Sequence, residues 1–136
     1  MSFISIQYPG GLRTVSKHDK SGKIIVTDAP VDNHGNGDAF SPTDLVATAL
    51  ASCMITVMGI KSCEWGVIID ESTLAVEKIM ASNPRRIHKV IININISQGN
   101  LSRVQKEILI KIAMECPVAN SLSPELIQQV RFNFFN

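Results

Sequence analysis

SPTDLVATALASCMITVMGIKSCE, running from Ser41 to Glu64, decides how this chain folds. It opens with a helix start signal. Ser41 is a good N-cap, Pro42 suits the first helical position, and Asp44 stands where the acid of a capping box belongs. From Leu45 to Ile60 there is no charged side chain. A surface helix would show a polar stripe, so this one is expected to be buried on most sides. Its Ala, Thr and Ser content argues against a membrane span, which needs ~20 strongly apolar residues. Cys53 sits near its middle, either as core filler or as the reason the helix is there.

Working outward, the N-terminal side carries short strands. Phe3–Tyr8 alternates apolar and polar residues, as a half-buried strand does. Pro9-Gly10-Gly11 is a turn and Leu12–Lys17 the return strand. Asp19–Gly22 is a second turn, leading into the β-branched run Ile24–Thr27. DAPVDNHGNGDAF (Asp28–Phe40) reads as one long site-shaping loop.

On the C-terminal side, strand-like runs appear at Val67–Asp70 and Leu74–Met80. RIHKVIININI (Arg86–Ile96) is the clearest strand, dense in branched residues, and Ser97–Asn100 breaks it. Leu101–Met114 is a second helix, with Leu101, Val104, Ile108 and Ile112 on its expected apolar face. Pro117 ends it, PVANSL begins another helical turn with Cys116 near its N-cap, and Val130–Phe135 is a last strand. The order predicts an α+β domain of antiparallel sheet with two main helices, one domain over residues 1–136. The second helix and a second subunit together are expected to cover the buried helix, in a homodimer.

Composition narrows the function. Apolar residues make up 45% of the chain, which excludes disorder. With 13 basic and 12 acidic residues the formal net charge is +1, so no strong field draws nucleic acid or an anionic membrane. The N-terminal stretch MSFISIQYPGG lacks signal-peptide character, so a cytoplasmic protein with reduced cysteines is expected. Cys53, Cys63 and Cys116 form no CxxC, and His18, His34 and His88 are scattered, so no metal site is expected. A thiolate needs a cation, a helix N-terminus or hydrogen bonds to be stabilised. Cys53 is mid-helix and gains little from the dipole. A helix starting after Pro117 would lower the pKa of Cys116.

SPTDLVATALASCM, followed by ECPVANSL, resembles the OsmC/Ohr family of thiol-dependent peroxidases. The spacing of the two thiols, the TDAP-to-Gly loop and the element order fit as well, so the resemblance spans essentially the whole chain. It implies an OsmC-like α+β fold in an intertwined homodimer, with the first helix buried and two active sites at the subunit interface. It also implies that Cys53 is the peroxidatic residue, attacking an organic hydroperoxide to become a sulfenic acid. Cys116 would then resolve it as a disulfide, and a small dithiol of the lipoyl type would reduce the pair, in oxidative-stress defence with no cofactor.

The family's hydroperoxide branch activates its thiol with an arginine and a glutamate. Arg13 is the matching arginine. Thr43 holds the glutamate's place, with Asp44 one position late and ~13 Å from Cys53 along a helix, so Asp44 is either a displaced activating acid or a cap. This departure supports an alternative: a non-catalytic OsmC-like small-molecule or thiol-binding protein with weak or no peroxidase activity. Cys63 reads as structural.

Overall fold

The computed structural model describes residues 3–98 and 100–135. Met1 and Ser2 of the N-terminal stretch, Gly99 of the break after the long strand, and Asn136 lie outside the described residues. The elements are β1 (Ile4–Gly10), β2 (Arg13–His18), β3 (Ile24–Asp28), a short 3-10 turn (Val31–Asn33), α1 (Pro42–Glu64), β4 (Thr73–Ala81), β5 (Arg86–Ile96), α2 (Arg103–Met114), α3 (Pro117–Ser121) and β6 (Ile127–Phe134). Contacts group them into two compact units, up to Val46 and from Ala47 onward.

The first unit is the antiparallel meander β1-β2-β3 with the loop that follows it. Gly11 and Leu12 turn the first hairpin at φ 67° and 60°, the positive pair that a tight hairpin turn requires. Register then sets Val15 opposite both Gln7 and Val26, and Arg13 opposite Asp28. The loop is tightly bonded: Asn33 and Gly35 N–H groups both donate to the Pro30 carbonyl at 2.9 Å, and Asp28 N–H donates to Phe40 O at 3.0 Å. A Cβ at Gly35 would collide with the Ala29 carbonyl, so only glycine closes this loop. β1 is not half-buried as its alternation predicts. Ile4, Ile6 and Tyr8 are about as exposed as Ser5 and Gln7 between them, because within this unit no second layer packs on the sheet.

The second unit holds the core. β5 is the central strand of a three-stranded sheet, order β4-β5-β6. Its Val90, Ile92, Ile94 and Ile96 are fully buried and pack with Leu50, Met54 and Met58 of α1 and Leu109 and Ala113 of α2. Each such large side chain contributes ~1.5–3 kcal/mol on burial. β4 runs antiparallel to β5, but β6 runs parallel to it. The sheet is therefore mixed, since the chain crosses over through α2 and α3 before returning.

Two expectations are corrected here, on Val67–Asp70 and on α2. Within the chain, α1 is covered on one face. It buries the face Ala47, Leu50, Ala51, Met54, Met58 and Ser62, and leaves Thr48, Ala49, Ser52, Thr56 and Ile60 exposed, because a single sheet and α2 supply only one cover. Val67–Asp70 is not a strand. Val67 N–H returns to the Ser62 carbonyl at 2.9 Å, Gly66 takes a positive φ, and Ile69 is buried in the core with Val67 packed against it. α2 starts at Arg103, behind a capping box between Ser102 and Gln105. Its buried residues are Leu109 and Ala113, about one residue round from the expected face, and Val104 is 63% exposed. Four apolar residues at 108, 109, 110 and 112 leave the helix face ambiguous in sequence, and contact with the sheet selects it.

By length and composition α1 is apolar enough to cross a membrane. Its Leu50–Met58 face, however, is part of a packed protein core.

Candidate active site

Cys53 projects from the middle of α1, half-buried, and packs against the core cluster of the second unit. The helix places it by ordinary means. Ser41 Oγ accepts the Asp44 N–H at 3.1 Å, and Asp44 Oδ2 accepts the Ser41 N–H at 2.9 Å. This closes the capping box and fixes where the helix begins. Asp44 thus takes the capping role that its position offers.

Cys116 sits at the N-cap of α3 and is 1% exposed. Pro117 occupies the first helical position, where a missing N–H costs nothing. The Ala119 N–H points at the Cys116 sulfur, 3.5 Å away. The side chain of Cys53 lies close enough to Cys116 to help raise its pKa. Two thiols distant in sequence are therefore neighbours in one apolar region, and both are free.

The electrostatics of Cys116 overturn one expectation. The helix start is present, and the N–H groups of Ala119 and Val118 do pull its pKa down. The net shift is nevertheless upward, with burial the largest cause and the neighbouring Cys53 adding to it. A helix of five residues offers a weak dipole, and desolvation of a buried thiolate outweighs it.

Arg13 lies on β2. Its Nε and Nη2 donate to the two carboxylate oxygens of Asp28, at 2.6 and 2.8 Å. Sequence reasoning missed Asp28, which it left as the first residue of a loop. The available signal was the hairpin register, which sets positions 13 and 28 opposite one another. Asp28 is 1% exposed, and Arg13 holds its carboxyl below the usual carboxylate range. Thr43 shares a 3.2 Å hydroxyl contact with Ser41.

Cys63 is exposed in the last turn of α1. Among the described residues no cluster of His, Cys, Asp and Glu could hold a metal ion. A cavity of about 540 Å³ is lined by Ile91, Asn93, Ile110, Gln129, Arg131 and Phe132 and by neither thiol.

An α+β chain with two three-stranded sheets and a long helix bringing one thiol to another defines a distinct fold class. The chain belongs to the OsmC-like protein family, whose model matches residues 35–129. That segment contains α1 and both paired cysteines; Arg13 and Asp28 precede it. The crystal structure of a protein from Psychrobacter arcticus 273-4, provisionally named an osmotic stress induced and detoxification response protein, is 45% identical, with TM-score 0.94 over 98% of this chain and 96% of that one. An organic hydroperoxide resistance protein OsmC from Legionella pneumophila is 16% identical, with TM-score 0.72 over 98% and 96%. An organic hydroperoxide resistance protein from Elizabethkingia anophelis is 17% identical, with TM-score 0.75 over 99% and 98%. At these last identities the likeness establishes the fold alone. No curated protein matches the chain.

Proposed function

We propose that this protein is a cysteine-based organic hydroperoxide reductase, a cytoplasmic homodimer in which residues 1–136 work as a single OsmC-like domain. The observation that carries the reading is the meeting of Cys53 with the buried Cys116.

The chemistry runs in three balanced steps. The Cys53 thiolate attacks the terminal oxygen of ROOH. The O–O bond breaks, the alkoxide takes a proton to leave as ROH, and Cys53 becomes a sulfenic acid. The Cys116 sulfur then attacks the Cys53 sulfur. An S–S bond forms and hydroxide departs as water with the Cys116 proton. A dithiol of the lipoyl type finally reduces the disulfide by two exchanges, restoring both thiols and leaving as its own cyclic disulfide.

The raised pKa of Cys116 suits its part. It keeps that thiol protonated at neutral pH, so it does not compete as the attacking thiolate and it supplies the proton that water needs. The apolar packing around Cys53 favours alkyl or lipid hydroperoxides as substrates. Arg13 serves as the cation that activates Cys53, by likeness to the family's arginine. Asp44 occupies the activating acid's neighbourhood in sequence, and its bonds to Ser41 assign it first to the helix cap.

Homodimerisation is supported by two uncovered apolar surfaces. One is the β1–β3 face with Ile4, Ile6 and Ile25; the other is the outer side of α1 with Ile60.

Consumption of cumene hydroperoxide with dihydrolipoamide tests the reading. Turnover by the wild type and its loss in Cys53→Ser is the expected result; equal peroxide loss in both would end it. Thr43, a hydroxyl where the family has a carboxylate, favours a second reading, a non-catalytic binding protein. That reading gains if the wild type shows no turnover yet binds a thiol ligand.

A further inference from the structure

We propose that the cavity along β5 and β6 is a binding site for a monocarboxylate with an apolar chain, its head held by Arg131 with Asn93 and Gln129. Neither cysteine lines this cavity, and the proposal rests on none of the peroxide chemistry above.

The parallel register builds the site. It sets Gln129 beside Ile91 and Arg131 beside Asn93. Alternation along a strand turns these four side chains to one face of the sheet, opposite the face on which Val90, Ile92 and Ile94 are buried. The neighbouring rung behaves differently. Asn133 Nδ2 donates to Asn95 Oδ1 at 3.1 Å, and Asn95 Nδ2 donates to Thr73 Oγ1 at 3.4 Å, so that amide ladder closes on itself. Among the described residues, no hydrogen bond or ion pair engages the side chains of Asn93, Gln129 or Arg131. A guanidinium brings five N–H donors and no acceptor, and each carboxamide adds two more donors. Donors left unspent within the chain suit a group that only accepts.

Charge narrows the ligand. Among the described residues, Arg131 is the one charged residue lining the cavity. Glu77 of β4 and Lys89 of β5 fall on the same face by register but outside the lining. One cation balances one negative charge, and its planar fork matches a carboxylate. A doubly charged phosphate would be left half neutralised.

The remaining lining is apolar: Ile91, Ile92, Val130 and Phe132 of the strands and Ile110 of α2. The volume of about 540 Å³ falls within the ~300–1,000 Å³ of small-molecule sites. Gln129 to Phe132 spans about 10 Å of strand, the reach of a medium-length acyl chain. A polar head site beside apolar walls fits an amphipathic carboxylate better than a sugar or an inorganic anion.

Octanoate titrated into the reduced protein, followed by isothermal titration calorimetry, tests the site. Saturable binding is expected. Arg131 is exposed, so Arg131→Gln should keep the fold, checked by far-UV circular dichroism. It loses both the charge and the fork, and is expected to weaken octanoate roughly tenfold or more. Arg131→Lys keeps the charge but loses the fork, and is expected to bind several-fold more weakly than wild type. Octanol, with the same chain and no carboxylate, should bind wild type no better than octanoate binds Arg131→Gln. Inorganic phosphate at equal concentration should not displace octanoate.

Equal affinity in wild type and folded Arg131→Gln overturns the proposal, because any octanoate is then held elsewhere on the molecule. Absence of saturable binding to wild type overturns it outright. So does octanol binding as tightly as octanoate, or displacement by phosphate. Should Arg131→Gln not fold, Arg131→Lys and the octanol comparison decide, and wild-type affinity in Arg131→Lys counts against the site.

Discussion

The side chain of Cys53, half-buried on α1, interacts directly with the thiol of Cys116, buried at the first turn of α3. Neither residue is a neighbour of the other in sequence, and both are free thiols. The packing of α1 and α2 on β5 brings them together.

The first prediction concerns that pair. One equivalent of cumene hydroperoxide added to reduced protein should join Cys53 to Cys116, seen by mass spectrometry as the loss of two hydrogens and a linked peptide. Cys116→Ser should instead accumulate a Cys53 sulfenic acid that dimedone traps. A linked peptide containing Cys63 would contradict the assignment.

Cys116 also makes stability depend on alkaline pH. Its folded pKa is raised, so its neutral form is favoured by folding. The contribution is complete below the unfolded thiol's value of ~8.5 and is lost as pH rises through the folded pKa. Urea denaturation of reduced protein at pH 7 and pH 10 should show a larger loss for wild type than for Cys116→Ser.

Asp28 gives the opposite slope. Arg13 lowers its pKa, so its contribution is present above the unfolded value of ~3.9 and lost as pH falls through the lower folded value. Acid titration of folding should show wild type and Asp28→Asn converging below that window. Curves that stay parallel down to pH 2 would remove the ion pair as the cause.

Core and surface substitutions should part sharply. Ile94 is fully buried on β5, and Ile94→Ala is expected to cost ~2–5 kcal/mol in chemical denaturation. Val104 is 63% exposed on α2, and Val104→Ala should stay within about 0.5 kcal/mol.

The outer side of α1 tests the assembly. Ile60 is 61% exposed in the chain. If a second copy covers that side, Ile60→Glu places a charge in an apolar interface and should shift sedimentation from dimer to monomer. An unchanged dimer would move the interface elsewhere.

Local rules carried much of the reading. The cap at Ser41, the length of α1, β5 over Arg86–Ile96 and the turn of helix after Cys116 all follow from side chains acting on their own backbone. Hydrogen bonds a few residues apart and branched Cβ atoms produce these features wherever the segment sits. Less was legible where two segments compete. The α2 face turned by about one residue, Val67–Asp70 found no partner strand, and β6 paired parallel rather than antiparallel.

The order of elements, the start of the long helix and the two thiols worth watching were determined by the sequence itself, because capping, strand propensity and a pair of family-like motifs are local properties. Only the tertiary structure decided that Cys116 is buried enough for desolvation to outweigh its helix start. It alone set Asp28, an apparent loop residue, against Arg13. Burial and cross-strand register depend on what the rest of the chain places alongside a residue, and no local pattern encodes that.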